Sequence, residues 1–292
     1  MKVSLFLMTK KGYNVLKSIV DNNLYHLIEK VVVARDHNIL NDYYQDIVDL
    51  CINNNIIYAS RKDANITESQ YAIAVSWRWL IDLKPSCNLI VLHDSLLPKY
   101  RGFAPLVNML INRENRIGVT ALFASEEYDC GDIIEQESVG INYPIKISEA
   151  IEKIVPLYSK LVIGHIEKIK KNIEIKAVKQ NDDDATYSLW RDDEDYSIDW
   201  NLSSSQIQQF IFSVGYPYNG AYTILNGEKY RIKDCELYPD KNIENRLQGK
   251  QIFISEGYPV IVCGQGLLKL THIEDSDGNL VKTFPTFRAR LK

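Results

Sequence analysis

A chain of 292 residues, 46% hydrophobic and 25% charged, has ample core for one large domain or two modest ones and is ordinary for a soluble globular protein. Its net charge of −4 and pI near 5.8 argue against a nucleic-acid partner, because phosphate binding usually needs a basic face. Cys51, Cys87, Cys130, Cys235 and Cys263 are odd in number, far apart and without a C-x-x-C pair, a pattern of reduced cytosolic thiols. Charged Lys10 and Lys11 interrupt the first apolar run too early for a secretory signal, and no apolar run approaches bilayer length. The expectation is a cytoplasmic protein with no membrane partner.

In chain order, Val3 to Met8 reads as a buried strand, followed by Val15, Leu16, Ile19 and Val20 at helical spacing. Ile28 to Val33 is the next strand, Asp42 to Asn53 a helix, and Ile56 to Ala59 a short strand. Tyr71 to Ser76 and Leu89 to His93 are further buried runs; Phe103 to Asn112 reads as a helix and Val119 to Ala124 as a strand. Strands alternating with helices imply an α/β domain with a parallel sheet. Ser148 is a plausible N-cap for a helix whose apolar stripe runs Ile154, Tyr158, Leu161, His165, Ile169, with Pro156 expected to kink or restart it. Composition turns acidic at Asn181 to Asp184, and Tyr187, Trp190, Tyr196 and Trp200 look like anchors for an ordered linker. A helix (Ser205 to Val214) precedes short alternating strands punctuated by Asn226-Gly227, Glu256-Gly257 and Asp277-Gly278, a pattern of a small antiparallel sheet or barrel.

His93 closes the run Leu89-Ile90-Val91-Leu92, which places a histidine at a sheet's carboxyl edge, where α/β folds build their sites. Such a histidine serves either as a site residue or as a satisfied structural one, and the strand alone does not decide. Asp129, in the later loop Asp129-Cys130-Gly131-Asp132, shifts the reading toward a site, since a carboxylate beside an imidazole suits acyl transfer. Asp132 and Ser95 fit turn chemistry. His26, His37, His165 and His272 are scattered, with no H-x-x-x-H or Cys pairing, so no metal site is expected. No G-x-G-x-x-G, Walker or G-x-S-x-G element is present. Ser76-Trp77-Arg78-Trp79-Leu80-Ile81 sets two tryptophans around an arginine after a buried strand, suited either to core or to the wall of a flat heterocycle.

The ordered set His93-x-Ser95-Leu96-Leu97-Pro98-x-Tyr100-Arg101-Gly102, Gly118-Val119-Thr120 and Asp129-x-Gly131-Asp132-Ile133 resembles the signature of 10-formyltetrahydrofolate-dependent formyltransferases. Ala185-Thr186-Tyr187, Ile198-Asp199-Trp200 and Gly215-Tyr216-Pro217-Tyr218-Asn219-Gly220-Ala221 resemble the linker and C-terminal entry of the methionyl-tRNA and sugar branches. The resemblance implies a Rossmann-like parallel-sheet formyltransferase domain (1–180), an ordered linker (181–204) and a smaller, mainly β, barrel-like C-terminal domain (205–292). It implies His93 and Asp129 as catalytic residues. It also implies a folate site against Trp77, Arg78, Trp79, Ile81 and Asp129. The first member of the family's Asn-x-His pair is replaced by Val91. Strand residues two apart share a face, so valine stands where an amide could donate to an oxyanion; Asn108, Arg78 and backbone amides are the conceivable substitutes. Asp94 should point away from the His93 face.

The implied activity is transfer of a formyl group from the cosubstrate 10-formyltetrahydrofolate to the primary amine of a nucleotide-linked amino sugar. Ala34-Arg35-Asp36 and Asn41-Asp42-Tyr43-Tyr44 resemble that branch. Lys10, Lys11 and Arg101 are candidates for acceptor phosphate. The alternatives are a methionyl-tRNA formyltransferase and a catalytically weak or inactive homologue that binds folate or nucleotide sugar. The sequence does not fix the oligomeric state, and a homodimer stays open.

Overall fold

The computed structural model describes residues 2–63 and 69–292. β1 (Val3–Leu7) is buried along its whole length, as a strand covered on both faces must be. It is followed by α1 (Thr9–Asp21), β2 (Ile28–Val33), α2 (Tyr44–Asn53), β3 (Tyr58–Ser60), β4 (Tyr71–Val75) and β5 (Asn88–His93). These five strands lie in the order β3-β2-β1-β4-β5 with every pairing parallel.

Next come β6 (Arg101–Gly102), α3 (Pro105–Ile111), β7 (Arg116–Phe123) and β8 (Ile133–Gly140). Here the sheet departs from the parallel expectation, because β7 runs antiparallel to β5 and β8 antiparallel to β7. His93 pairs with Thr120, and the hairpin that follows β7 delivers β8. β8 itself (IIEQESVG) is half-buried along most of its length, with Gln136 and Gly140 exposed, and has no long apolar run to announce it.

α4 (Ile147–Lys170) is one helix that continues through Pro156. Ser148 therefore sits inside its first turn rather than capping it, and Pro156 does not restart it. The stripe Ile154, Tyr158, Leu161, His165 and Ile169 is buried. β9 (Tyr187–Ser188) pairs in parallel with β6. Of the four expected linker anchors, Trp200 is buried and donates from its indole nitrogen to Thr223 Oγ1 at 3.0 Å, whereas Tyr187 and Trp190 are exposed.

α5 (Ser204–Ser213) opens with a capping box. Ser203 Oγ accepts from the Gln206 N–H (3.3 Å) and the Gln206 side chain accepts from the Ser203 N–H (3.1 Å). The strands β10 (Ala221–Leu225), β11 (Glu228–Tyr238), β12 (Gln251–Ser255), β13 (Tyr258–Val262), β14 (Leu267–Glu274) and β15 (Leu280–Val281) form the second sheet. Its path is β10-β11-β14-β13-β12, all antiparallel, with β15 on β14. The C-terminal residues bond to both ends of that path. Gln251 N–H donates to Ala289 O and Leu291 N–H to Gly249 O, while Ile224 and Lys292 exchange both backbone bonds. The tail thus satisfies the open edges of β10 and β12 and gives the sheet a barrel-like closure.

By contact density the chain divides into two compact units. One comprises Met1–Leu106, Asn115–Ile141 and Ala150–Leu189; the other comprises Val107–Glu114, Asn142–Glu149 and Trp190–Lys292. Among the described residues, no helix is long and apolar enough to cross a membrane.

Candidate active site

Alternation along the strands sorts the site onto two faces of the first sheet. A Cβ on Gly12 of α1 would stand 3.0 Å from Leu7 Cβ, so α1 covers the Leu7 face. Phe6 points to the other face, where it clusters with Val32, Ala72 and Ala74. Trp77, Ile81, Leu83, Cys87, Leu89 and Val91 pack on that cluster as a partly buried apolar wall. His93, two residues beyond Val91, belongs to the same face. Asp94 faces the opposite way, where its carboxylate pairs with Lys11 of α1 and accepts from the Tyr158 hydroxyl of α4. The Tyr158 phenol is pushed well above its usual range, first by burial and then by the Asp94 charge.

On the His93 face, Nδ1 of His93 lies 3.3 Å from Asp129 Oδ1, and Nε2 is 2.8 Å from the Tyr100 carbonyl oxygen. A carbonyl only accepts, so Nε2 carries a hydrogen and donates it. Asp129 Oδ2 accepts the Gly102 N–H at 2.9 Å. The histidine is 7% exposed, and the Asp129 side chain keeps a small solvent-facing edge at 15%. Asp129 holds a left-handed backbone, φ 58°, a conformation that aspartate tolerates better than most residues. Gly131 permits the loop to close, since a Cβ there would lie 1.7 Å from the Phe123 carbonyl oxygen.

The turn between β5 and β6 is fixed by polar bonds. Ser95 Oγ donates to Lys99 O (2.7 Å), and Thr120 Oγ1 donates to Ser95 O (2.6 Å) while accepting from Leu97 N–H (3.1 Å) and Gln136 Nε2 (2.8 Å). Thr186, from the Ala185-Thr186-Tyr187 segment, accepts the Tyr100 and Arg101 N–H groups at 2.9 and 2.8 Å. That segment therefore positions the same Tyr100 carbonyl that receives the His93 ring.

The three basic residues expected to meet acceptor phosphate are engaged within the protein. Lys10 pairs with Glu152 and Lys11 with Asp94. Arg101 is 2% exposed; its guanidinium bonds to Gln180 Oε1, to Asp182 Oδ1 (2.8 Å) and to the Tyr187 hydroxyl (3.5 Å). Arg78, expected at the folate, is paired with Asp36 through both carboxylate oxygens. Trp77 stacks edge-on against Phe6 and Trp79, and Arg61 lies over Trp79 at 4.3 Å. The Trp77 Nε1 is buried and has no hydrogen-bond partner among the described residues. Of the side-chain substitutes considered for the missing asparagine, Arg78 is paired with Asp36, and Asn108 Oδ1 accepts from Arg191 Nε and Nη2 at 3.1 and 2.8 Å. Sequence reasoning missed Gln180 and the Asp36–Arg78 pair. Among the described residues, no group of three or more His, Cys, Asp or Glu side chains could hold a metal ion.

A mixed, largely parallel sheet carrying a His–Asp pair at the end of β5, followed by a separate antiparallel β domain, defines a formyltransferase fold. Residues 78–156 match the formyl transferase profile and residues 191–287 the formyl transferase C-terminal domain, and the chain belongs to this family. The chain is 31% identical over 182 residues to a methionyl-tRNA formyltransferase of Lactococcus lactis, covering 62% of this chain and 56% of the relative. A second, from Fusobacterium nucleatum, is 31% identical over 202 residues, 69% of this chain and 60% of that protein. The chain thus spans little more than half the length of such relatives. Among solved structures, the N-formyltransferase of Helicobacter canadensis, in complex with folinic acid and dTDP-3-aminofucose, aligns with a TM-score of 0.69 at 19% identity, over 92% of this chain and 98% of that one. The sugar 3N-formyl transferase WlaRD, with dTDP and 5-N-formyl-THF, aligns at 0.67 and 18% identity, over 95% and 98%.

Proposed function

We propose that the chain is an N-formyltransferase that takes its formyl group from 10-formyltetrahydrofolate and delivers it to the primary amine of a nucleotide-linked amino sugar. The observation that carries this reading is the Asp129 carboxylate held between His93 Nδ1 and the Gly102 N–H, on the sheet face that also bears the apolar wall. Trp77, Ile81, Leu83, Leu89 and Val91 offer a partly buried surface for a flat heterocycle, and the orphaned Trp77 Nε1 is a donor suited to one of its polar atoms. Trp79 and Arg78 border that surface in sequence.

The amine nitrogen adds to the formyl carbon, and Asp129, directly or through one water, takes the proton it sheds. The carbon–nitrogen bond to the folate then breaks, and the His93–Asp129 pair returns a proton to the departing nitrogen. Val91 supplies no donor for the tetrahedral oxyanion. His93 serves in that role by turning its Nε2–H from the Tyr100 carbonyl to the formyl oxygen. A missing oxyanion donor typically costs about 2.7–4 kcal/mol of transition-state stabilisation, which is enough to set the rate.

A nucleotide-sugar acceptor is supported by the near-complete coverage, on both sides, of the two sugar-formylating structures. The net charge of −4 weighs against tRNA. Methionyl-tRNA remains the second reading, favoured by the names of the sequence relatives. A cytoplasmic location without nucleic-acid or membrane partners belongs to the same proposal. The test is incubation with 10-formyltetrahydrofolate and, in parallel, a panel of nucleotide amino sugars and charged initiator tRNA, read by mass spectrometry. A formylated nucleotide sugar is the expected product. Formyl-methionyl-tRNA instead establishes the second reading, and ligand binding with no product establishes an inactive binding homologue.

A further inference from the structure

Gln180 lies 51 residues beyond Asp129 in the chain and is buried in the fold. Its side chain uses every bonding direction it has. Nε2 donates to the Asp129 and Gly131 carbonyl oxygens, both at 2.7 Å. Oε1 accepts from Arg101 Nε at 3.1 Å and Nη2 at 2.9 Å. Arg101 is flanked by the two backbone groups that hold the site pair: the Tyr100 carbonyl on His93 Nε2 and the Gly102 N–H on Asp129 Oδ2. One amide therefore joins the loop that carries Asp129 to the turn that holds His93.

We propose that Gln180 is a positioning residue for formyl transfer: it fixes the left-handed Asp129 backbone against the Arg101 turn, so that the carboxylate meets His93 in a single geometry. The proposal rests on the functional reading above. Two features of the chemistry support it. Asp129 at φ 58° needs outside restraint to persist, and the Gln180 amide supplies it through two acceptors on that loop. The amide is also the only side chain of its size and shape that can donate twice on one side and accept on the other. Glutamate accepts from Arg101 but faces the two loop carbonyls with oxygen, and lysine or arginine would donate to the loop but repel Arg101. Arg101 is thereby explained as a buried scaffold cation rather than a ligand contact.

The test compares wild type, Gln180→Glu, Gln180→Met and Lys179→Ala, the last an exposed neighbour outside the site. Two readouts are taken on each. The first is steady-state formyl transfer, separated into kcat and KM for the folate. The second is the pair of His93 imidazole nitrogen resonances, in protein labelled at histidine nitrogen and assigned by their loss in His93→Asn. The Gln180→Glu variant keeps the Arg101 bond and the side-chain volume, and each variant is checked for folding by circular dichroism before it is read. The expected result is a fall in kcat of about a hundredfold, the scale of a displacement near 1 Å, with KM changed by less than about twofold. The His93 resonances should shift in both Gln180 variants and not in Lys179→Ala. Unchanged His93 resonances in folded Gln180→Glu and Gln180→Met overturn the proposal, and so does a loss confined to KM. The resonance readout needs no acceptor. A wild type that transfers no formyl group while Gln180 variants still shift His93 sinks the functional reading and leaves the positioning role standing.

Discussion

Asp129 Oδ1 stands 3.3 Å from His93 Nδ1, although the two residues leave the sheet from strands that run in opposite directions. β7 exits beside Ile90, roughly 10 Å below the end of β5. The loop must climb back along the sheet to deliver its carboxylate. Gly131, hard against the Phe123 carbonyl, marks the pivot of that climb.

Gly131→Ala is therefore expected to displace the loop. Backbone cannot yield to a contact of 1.7 Å, so Asp129 moves away from His93. Formyl transfer should fall by at least a hundredfold, with a lower melting temperature in a thermal scan. Wild-type turnover in Gly131→Ala contradicts this placement of the loop.

Val91→Asn restores an amide two residues before His93, on the same face. Beside the His93 Nε2–H, that amide adds a second donor to the oxyanion, so kcat should rise about tenfold or more. The amide also enters an apolar wall, so stability measured by urea denaturation should fall by about 1–3 kcal/mol. An unchanged or reduced kcat in a folded Val91→Asn contradicts the reading that formyl transfer is limited by the donor missing at position 91.

The Lys11–Asp94 pair is largely shielded, with side-chain exposures of 12% and 17%. Asp94→Asn leaves Lys11 charged without its counter-ion and deprives the buried Tyr158 hydroxyl of its carboxylate acceptor. Removing one member of such a pair costs about 3 kcal/mol, and urea denaturation reads it directly. A change below about 0.5 kcal/mol would show that the pair is dispensable.

His165 gives a pH prediction. It is fully buried, neither ring nitrogen has a hydrogen-bond partner among the described residues, and the Glu135 carboxylate stands 4.0 Å from Nδ1; burial lowers its pKa from 6.5 to about 4, helped by the Lys168 charge and opposed by Glu135. A folded pKa below the unfolded one means the unfolded chain binds more protons between those values, so stability rises with pH across that window. Stability should fall as pH drops below about 6.5, by about 3 kcal/mol in total near pH 4. His165→Leu should remove that decline and cost little at pH 7, since it deletes two unsatisfied polar atoms. An identical pH profile in wild type and His165→Leu contradicts the assignment.

Much of this fold is written in short patterns. The run Leu89 to Leu92 ends at His93, and the orientation of Asp94 follows from strand periodicity; loop composition points toward Asp129, and the family resemblance implies both as site residues. The helix that became α5 was legible in its span, although the Ser203–Gln206 capping box places its start a residue earlier. What escaped depends on pairings distant in sequence. β8 has no apolar run, and no local pattern announces that β7 pairs antiparallel with β5. Arg101, a candidate for acceptor phosphate in the sequence, is buried, and its guanidinium is held by Gln180, 79 residues away. Gln180 has no local signature, because its partners are backbone carbonyls and one guanidinium. The exposed Tyr187 and Trp190 show the same limit: aromatic type suggests an anchor, and only the tertiary structure says which ring is covered.

The central claim is that the His93–Asp129 pair performs formyl transfer. The most direct measurement is product formation from isotopically labelled 10-formyltetrahydrofolate and a nucleotide amino sugar, by wild type, His93→Asn and Asp129→Asn, each checked for folding. The account predicts labelled amide product with wild type and a loss of at least about a hundredfold in each variant. Wild-type-like turnover in both variants would contradict it.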